Sequence, residues 1–256
     1  MAADEIASPD QPARTLRLLL EYQGTDFVGW QIQAQGRTVQ GELARALQIL
    51  LREQVIPIGA GRTDAGTHAL GQVAHFHTHS PLPVERLCRG LNGLLPPDIA
   101  VLGVDEVPAD FHARYSALGK GYRYRICTAK SALDRHLVWS LYQPLDLEPM
   151  VQAARALPGA HQFAAFCNQD PLPDNFICQV KACNWTRQDR ELVFAIEADR
   201  FLRHMVRILV GTMVEIGRGR RQPEEMEVLL QSSDRSAAGP TAPAQGLCLL
   251  RVNYKT

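Results

Sequence analysis

The segment Gly59-Ala60-Gly61-Arg62-Thr63-Asp64-Ala65-Gly66-Thr67-His68-Ala69-Leu70-Gly71-Gln72 places four glycines within thirteen residues, with an arginine and an aspartate two positions apart at its centre. Its flanks decide the architecture. Val55 to Ile58 reads as a short strand running in, and Gln72 to His79 as another strand running out. A glycine-rich loop that joins strand to strand differs from the loops that cradle nucleotides. No Gly-Lys-Ser/Thr follows it, as a phosphate-binding loop requires, and no helix opens after it, as a dinucleotide-binding turn requires. The glycines mark a place where backbone approaches something closely, and Arg62 and Asp64 are the chemistry carried there. An arginine near Asp64 keeps the carboxylate ionised and aimed. By composition alone the favoured reading of these residues is an Asx turn with an ion pair, which needs no function.

Upstream of the loop, Leu16 to Tyr22 forms an apolar strand ending at Gly24. Thr38 then caps a helix whose apolar residues Val39, Leu43, Leu47, Leu50 and Leu51 fall near helical period. Downstream, Val84, Leu87, Leu91, Leu94 and Leu95 mark a second helix and Ile99 to Val107 a strand. Pro108 to Lys120 reads as a connector. The second half repeats this rhythm. Tyr122 to Thr128 is a strand, Leu147 to Leu157 a helix opened near Pro149, and Cys178 to Thr186 with Glu191 to Ala198 a hairpin. Phe201 to Ile216 is a long helix ended by Gly217, Pro223 to Leu230 a short helix, and Leu247 to Tyr254 a closing strand. Each half has the strand-helix-strand order of a ferredoxin-like unit. The expected class is therefore α+β, with two such halves joined through a mixed, mostly antiparallel sheet and flanking helices. Residues 1–14, with Asp4, Glu5, Asp10, Pro9 and Pro12, read as a disordered tail. Residues 15–108 form the N-terminal half with the Asp64 loop, and residues 109–256 the C-terminal half.

The composition narrows the class further. Apolar residues make up 46% of the 256, enough for a real core. The six cysteines include no CxxC pair, so neither a zinc ribbon nor a thioredoxin-like site is indicated, and they suit a reducing cytoplasm. The acidic N-terminus is unlike a transit peptide, and no apolar run is long enough to span a bilayer. The formal charge is zero, yet of 27 basic residues only four are lysines. Arginine grips phosphate bidentately and stacks on bases; a codon bias explains the excess equally well. Five basic residues and no acid lie from His112 to Lys130, and six arginines against Glu215 alone from Arg200 to Arg221. Such patches in a neutral chain suit a polyanionic partner.

Three other segments change the meaning of the loop. They are Tyr22-Gln23-Gly24 with Gly29-Trp30-Gln31, Phe111-His112-Ala113-Arg114 leading into Tyr122-Arg123-Tyr124-Arg125, and Phe201-Leu202-Arg203-His204-Met205-Val206-Arg207 with Gly211. Together with the loop, in this order, they resemble the TruA family of tRNA pseudouridine synthases from about Leu16 to Tyr254. The segment Pro240-Thr241-Ala242-Pro243-Ala244-Gln245-Gly246-Leu247 resembles that family's C-terminus. The resemblance implies a pseudouridine-synthase fold and conversion of uridine to pseudouridine at positions 38, 39 and 40 of the tRNA anticodon arm. It implies Asp64 as the catalytic residue, Arg207 as the arginine that pairs with it, Tyr122 as the ring that contacts the target base, and Arg62 as an RNA contact nearby. It also implies no cofactor, no metal, a homodimer with one tRNA lying across both subunits, and a cytoplasmic location. Thr67 and Gln162 depart from the family's usual residues, and neither is among the implied site residues.

The residue types suit that chemistry. Forming pseudouridine breaks the N1–C1′ bond, turns the uracil and rejoins it through C5. A carboxylate can serve as nucleophile, stabilise charge or take a proton, and an aromatic ring can hold a base drawn out of its stack. A non-catalytic RNA-binding module of the same fold is the alternative, but a pure binder gains nothing from a carboxylate facing a polyanion. A hydrolase with an aspartate nucleophile would need a metal or second acid that the loop does not offer. His75, His77 and His79 alternate on one strand face, which reads as solvated or RNA-facing, since no acidic or thiol ligand stands beside them. Tyr124 reads as core packing, Trp30 as a loop anchor, and His204 as a packing or phosphate residue.

Overall fold

A computed structural model describes residues 13–168 and 173–255. Of the expected tail, Met1 to Pro12 lie outside the described residues, while Arg14 already opens the first strand. The chain forms two compact units, one reaching to Ala117 and including Tyr254, the other spanning Leu118–Asn253.

The first unit contains β1 (Arg14–Tyr22), α1 (Val39–Leu51), β2 (Ile58–Gly59), β3 (His68–Thr78), α2 (Val84–Leu94) and β4 (Ile99–Val107). β1 lies between β3 and β4, antiparallel to both, with Leu18 opposite Ala74 on one side and Val104 on the other. Leu16, Leu18, Leu20 and Tyr22 are buried and Leu19 and Glu21 exposed, the period-two pattern of a sheet with one covered face. α1 starts where Thr38 Oγ1 accepts a hydrogen bond from the Gly41 amide at 3.1 Å. It lays Val39, Leu43, Leu47 and Leu51 into the core, and each fully buried leucine contributes about 1.5–3 kcal/mol.

The second unit contains β5 (Ala117–Cys127), β6 (Trp139–Ser140), α3 (Leu147–Ala154), β7 (Gly159–Gln162), β8 (Ile177–Gln188), β9 (Glu191–Ala198), α4 (Met205–Gly217), α5 (Glu225–Gln231) and β10 (Leu247–Tyr254). Its strands follow the order β10-β5-β9-β8-β7, with β6 added in parallel to β5. The β5–β9, β9–β8 and β8–β7 pairs are antiparallel. α4 is apolar nearly all round, with Met205, Ile208, Leu209, Val210, Met213 and Val214 all buried, so it runs through the core. Sheet and helices are thus mixed in α+β fashion, with five α-helices among the described residues.

Several boundaries differ from expectation. β3 begins at His68, four residues inside the glycine loop, because the ladder with β1 continues as far as Tyr22 opposite Ala69. β5 begins at Ala117, inside the expected connector. α4 begins at Met205 and not Phe201, because His204 has φ +64°, which no α-helix tolerates. Local polar sequence gave no hint of β6 or β7. Among the described residues no helix is long and apolar enough to cross a membrane.

The histidine face needs a correction. β3 ends at Thr78, so His79 lies beyond it, and His75 is 1% exposed, not solvated. The His75 Nδ1 accepts the Ala113 amide at 3.2 Å. Burial, helped by His112 and His77, pulls its pKa from the ordinary value to about 4 against a hydrogen bond with the Ile58 backbone. The unfolded chain therefore binds a proton near pH 6.5 that the folded chain refuses until about 4. Stability from this group is complete above pH 6.5 and falls as pH drops through that window, by up to ~3 kcal/mol. Urea titrations should show this acid limb flattened in His75→Gln, which keeps an acceptor for Ala113 but cannot titrate. An unchanged limb would remove His75 from the pH dependence.

Candidate functional site

The loop carrying Arg62 and Asp64 is pinned from below. The Trp30 amide donates to the Thr63 carbonyl at 3.1 Å, the Gly66 amide to Phe27 at 3.3 Å, and the Thr67 amide to the Asp64 carbonyl at 3.1 Å. Tyr22 Oη and Thr63 Oγ1 share a buried hydrogen bond of 2.8 Å. Fully buried Gln72 donates to the Gly61 carbonyl at 3.0 Å and to Tyr22 Oη at 3.3 Å. Buried His68 is part of this frame: its Nδ1 accepts the Gly24 amide at 3.0 Å. Two glycines of the Tyr22 to Gln31 segment are required by contact. A Cβ on Gly24 would collide with the Thr67 carbonyl, and Gly29, at φ +104°, would bring one to 2.7 Å from the Thr63 carbonyl. Trp30 is buried against Gly59, the anchor its position suggested.

On this frame Asp64 is half-buried and Arg62 exposed. Arg62 is oriented by its Nε donating to Gln31 Oε1 at 3.1 Å. The carboxylate thus stands at a turn whose backbone is held on both sides.

The second unit presents Tyr122 and Arg207. Tyr122 lies half-buried on β5, with Phe201 edge-on at 5.0 Å between ring centroids. Two residues on, Tyr124 is fully buried and donates to the Pro243 carbonyl at 2.7 Å, and burial pushes its phenol pKa far up, with Arg207 opposing. It is core, as its position suggested. Arg207 sits in the first turn of α4, a turn without acidic residues, where helix amides favour an anion. Its Nε donates to the Ala242 carbonyl at 2.8 Å, and the Ala242 amide returns a bond to the Arg207 carbonyl at 3.0 Å. Gly211 permits this suture, since a Cβ there would strike the Pro240 carbonyl. His204 stands at the position before the helix without a side-chain capping bond, and its ring pairs with Asn168 at 3.3 Å.

The basic runs are partly neutralised by acids, one of them, Glu215, inside the second run and the others outside. Arg125 forks onto Glu191 at 2.7 and 2.8 Å, Arg218 and Arg220 both hold Glu215, and Arg221 holds Glu225. What sequence missed is chiefly the support: Gln72, Tyr22, Gln31 and Ala242, whose roles are long-range hydrogen bonds. All four lie in the quoted motif segments, but which group each one bonds is set by residues far along the chain. None of the six cysteines forms a disulfide, and burial pushes the Cys178 and Cys183 thiols up to about 12 and about 11, which makes them poor nucleophiles.

Comparison with known proteins gives this geometry a context. A family model described as tRNA pseudouridine synthase matches residues 19–116 and 153–255. The tRNA pseudouridine synthase A of Moorella thermoacetica is 48% identical over 243 residues, covering 93% of this chain and 99% of its own. That of Myxococcus xanthus is 45% identical, covering 94% and 92%, and that of Anoxybacillus flavithermus 43% identical, covering 94% and 99%. The matched residues include the Asp64 loop, the segment through Arg114 and the helix of Arg207, and the chain belongs to the tRNA pseudouridine synthase family.

Proposed function

We propose that this protein isomerises uridine to pseudouridine at positions 38 to 40 of the tRNA anticodon arm, with Asp64 as its catalytic carboxylate. The observation that carries this reading is a half-buried carboxylate on a loop whose backbone is tied down by Trp30, Tyr22 and Gln72. A reacting group held by a rigid scaffold loses little entropy in reaching the sugar. Asp64 acts at the reacting nucleotide as the glycosidic bond breaks. Arg207 serves as its guanidinium partner, Tyr122 contacts the target uracil once it leaves the stack, and Arg62 holds RNA nearby. The names of the relatives and the resemblance of the four motifs support these roles. Neither metal nor cofactor enters the reaction as proposed.

The resemblance also supports a cytoplasmic homodimer with one tRNA across both subunits. One small subunit offers little surface to hold a tRNA body and its anticodon arm together. A single 28.4 kDa species in light scattering would remove the dimer from this reading.

The test is mass-spectrometric mapping of pseudouridine in an unmodified tRNA transcript incubated with the protein. The expected product is one or more pseudouridines among positions 38, 39 and 40. Modification only elsewhere would overturn the site assignment, and none in a set of substrates with uridine at all three positions would overturn the activity.

A further inference from the structure

The reaction proposed above leaves the segment from Phe111 to Ser116 without a task. Tyr115 is 76% exposed, an unusual position for a tyrosine ring that has aromatic neighbours to pack on. Its ring lies 4.4 Å from that of His112, tilted by 34°, and His112 in turn lies 4.7 Å from buried His75. Tyr115 is thus the outermost of three rings leading out of the core. The guanidinium carbon of exposed Arg114 stands 5.6 Å from the Tyr115 ring centroid.

The turn that presents this ring is locked. Both the Arg114 and Tyr115 amides donate to His112 Nδ1, at 3.1 and 3.2 Å, which fixes that nitrogen as an acceptor. The His112 amide donates to Ser116 Oγ at 3.0 Å and the Ser116 amide to the His112 carbonyl at 2.8 Å. Ala113 is held from both ends, its amide on His75 and its carbonyl accepting Tyr254 Oη at 2.7 Å. A ring on a locked turn, with an imidazole against it and a guanidinium within cation–π range, has two things to offer. The ring offers a flat π surface, and the guanidinium offers a counterion to phosphate. An unstacked nucleotide matches both, base to ring and phosphate to arginine.

We propose that Tyr115, backed by His112 and flanked by Arg114, is a stacking platform for an unpaired base of the bound RNA. This rests on the reading of the protein as an enzyme acting on tRNA. The platform contributes to holding the substrate and takes no part in bond breaking.

The test uses the full chain with an unmodified tRNA transcript, measuring affinity by filter binding and the single-turnover rate of pseudouridine formation at saturating RNA. Tyr115→Ala should weaken binding by about tenfold or more, the scale of one lost base stack, while leaving the saturated rate within about twofold. Tyr115→Trp should restore affinity to within about twofold of the parent. Affinity unchanged in Tyr115→Ala would overturn the platform, as would a tryptophan variant as weak as the alanine one. A change of association state in light scattering of Tyr115→Ala, with affinity per assembled particle preserved, would also overturn it, because the ring would then belong to a contact between copies. If the parent protein binds tRNA but forms no pseudouridine, the proposed reaction fails, while loss of affinity in Tyr115→Ala still upholds the platform.

Discussion

Asp64→Asn is expected to bind tRNA as tightly as the parent protein, or slightly more tightly, and to form no pseudouridine, a loss of at least about a thousandfold. The substitution keeps the size of the side chain and removes its charge. The bonds of the loop through the Thr63 and Gly61 carbonyls, the Thr63 hydroxyl and the backbone of Asp64 are untouched by the change. Asparagine is also at home in turns of this kind. Removing a negative charge from a surface that meets phosphates relieves a repulsion, which is why affinity should hold or rise. The decisive comparison is product formed at matched occupancy of RNA. Appreciable pseudouridine from Asp64→Asn at unchanged affinity would sink the assignment of this residue and with it the mechanism.

Arg207→Lys should retain RNA binding and the folded state yet lose roughly a hundredfold or more in single-turnover rate, about 2.7 kcal/mol of transition-state stabilisation. The arginine uses its Nε on Ala242, at 2.8 Å, and this bond sets the plane in which its two terminal nitrogens lie. Lysine keeps the charge but has one nitrogen, which cannot hold Ala242 and offer an oriented fork at once. A thermal midpoint within a few degrees of the parent would separate this positioning loss from unfolding. Arg207→Lys with the parent's rate would mean that charge alone suffices, and the fork would drop out of the mechanism.

Much of the frame was legible in sequence where punctuation was local. β4 matches its expected span at both ends because Pro96, Pro97 and Asp98 precede it and Pro108 follows it. α1 was announced by Thr38 and its apolar stripe. The lost boundaries share a different cause. His68 to Gly71 look like loop, and become strand only because β1 is long enough to pair with them. His204 looks like helix by its sequence, and its left-handed conformation, φ +64°, is not written in the local pattern. The site divides the same way. Asp64 stood out because glycines, an arginine and a carboxylate crowd one loop. The groups that hold that loop, Tyr22 and Gln72, are distant or look like ordinary strand residues. His75 was misjudged because alternation reports which residues share a face and not whether that face is covered, here by Phe111 and His112. The exposure of Tyr115 is a property of the folded surface that composition does not encode.

The bonds that join α4 to the segment after it set an order of events during synthesis. Arg207 is fixed by Ala242, 35 residues later, and Tyr124 by Pro243, 119 residues later. Contacts of such separation form only after both ends are present, and they form slowly. A nascent chain that has not yet released Pro243 from the ribosome therefore lacks both of these bonds. On the role proposed for Arg207, such a chain binds RNA without modifying it, and competence is expected only when the Pro240 to Gln245 segment reaches α4.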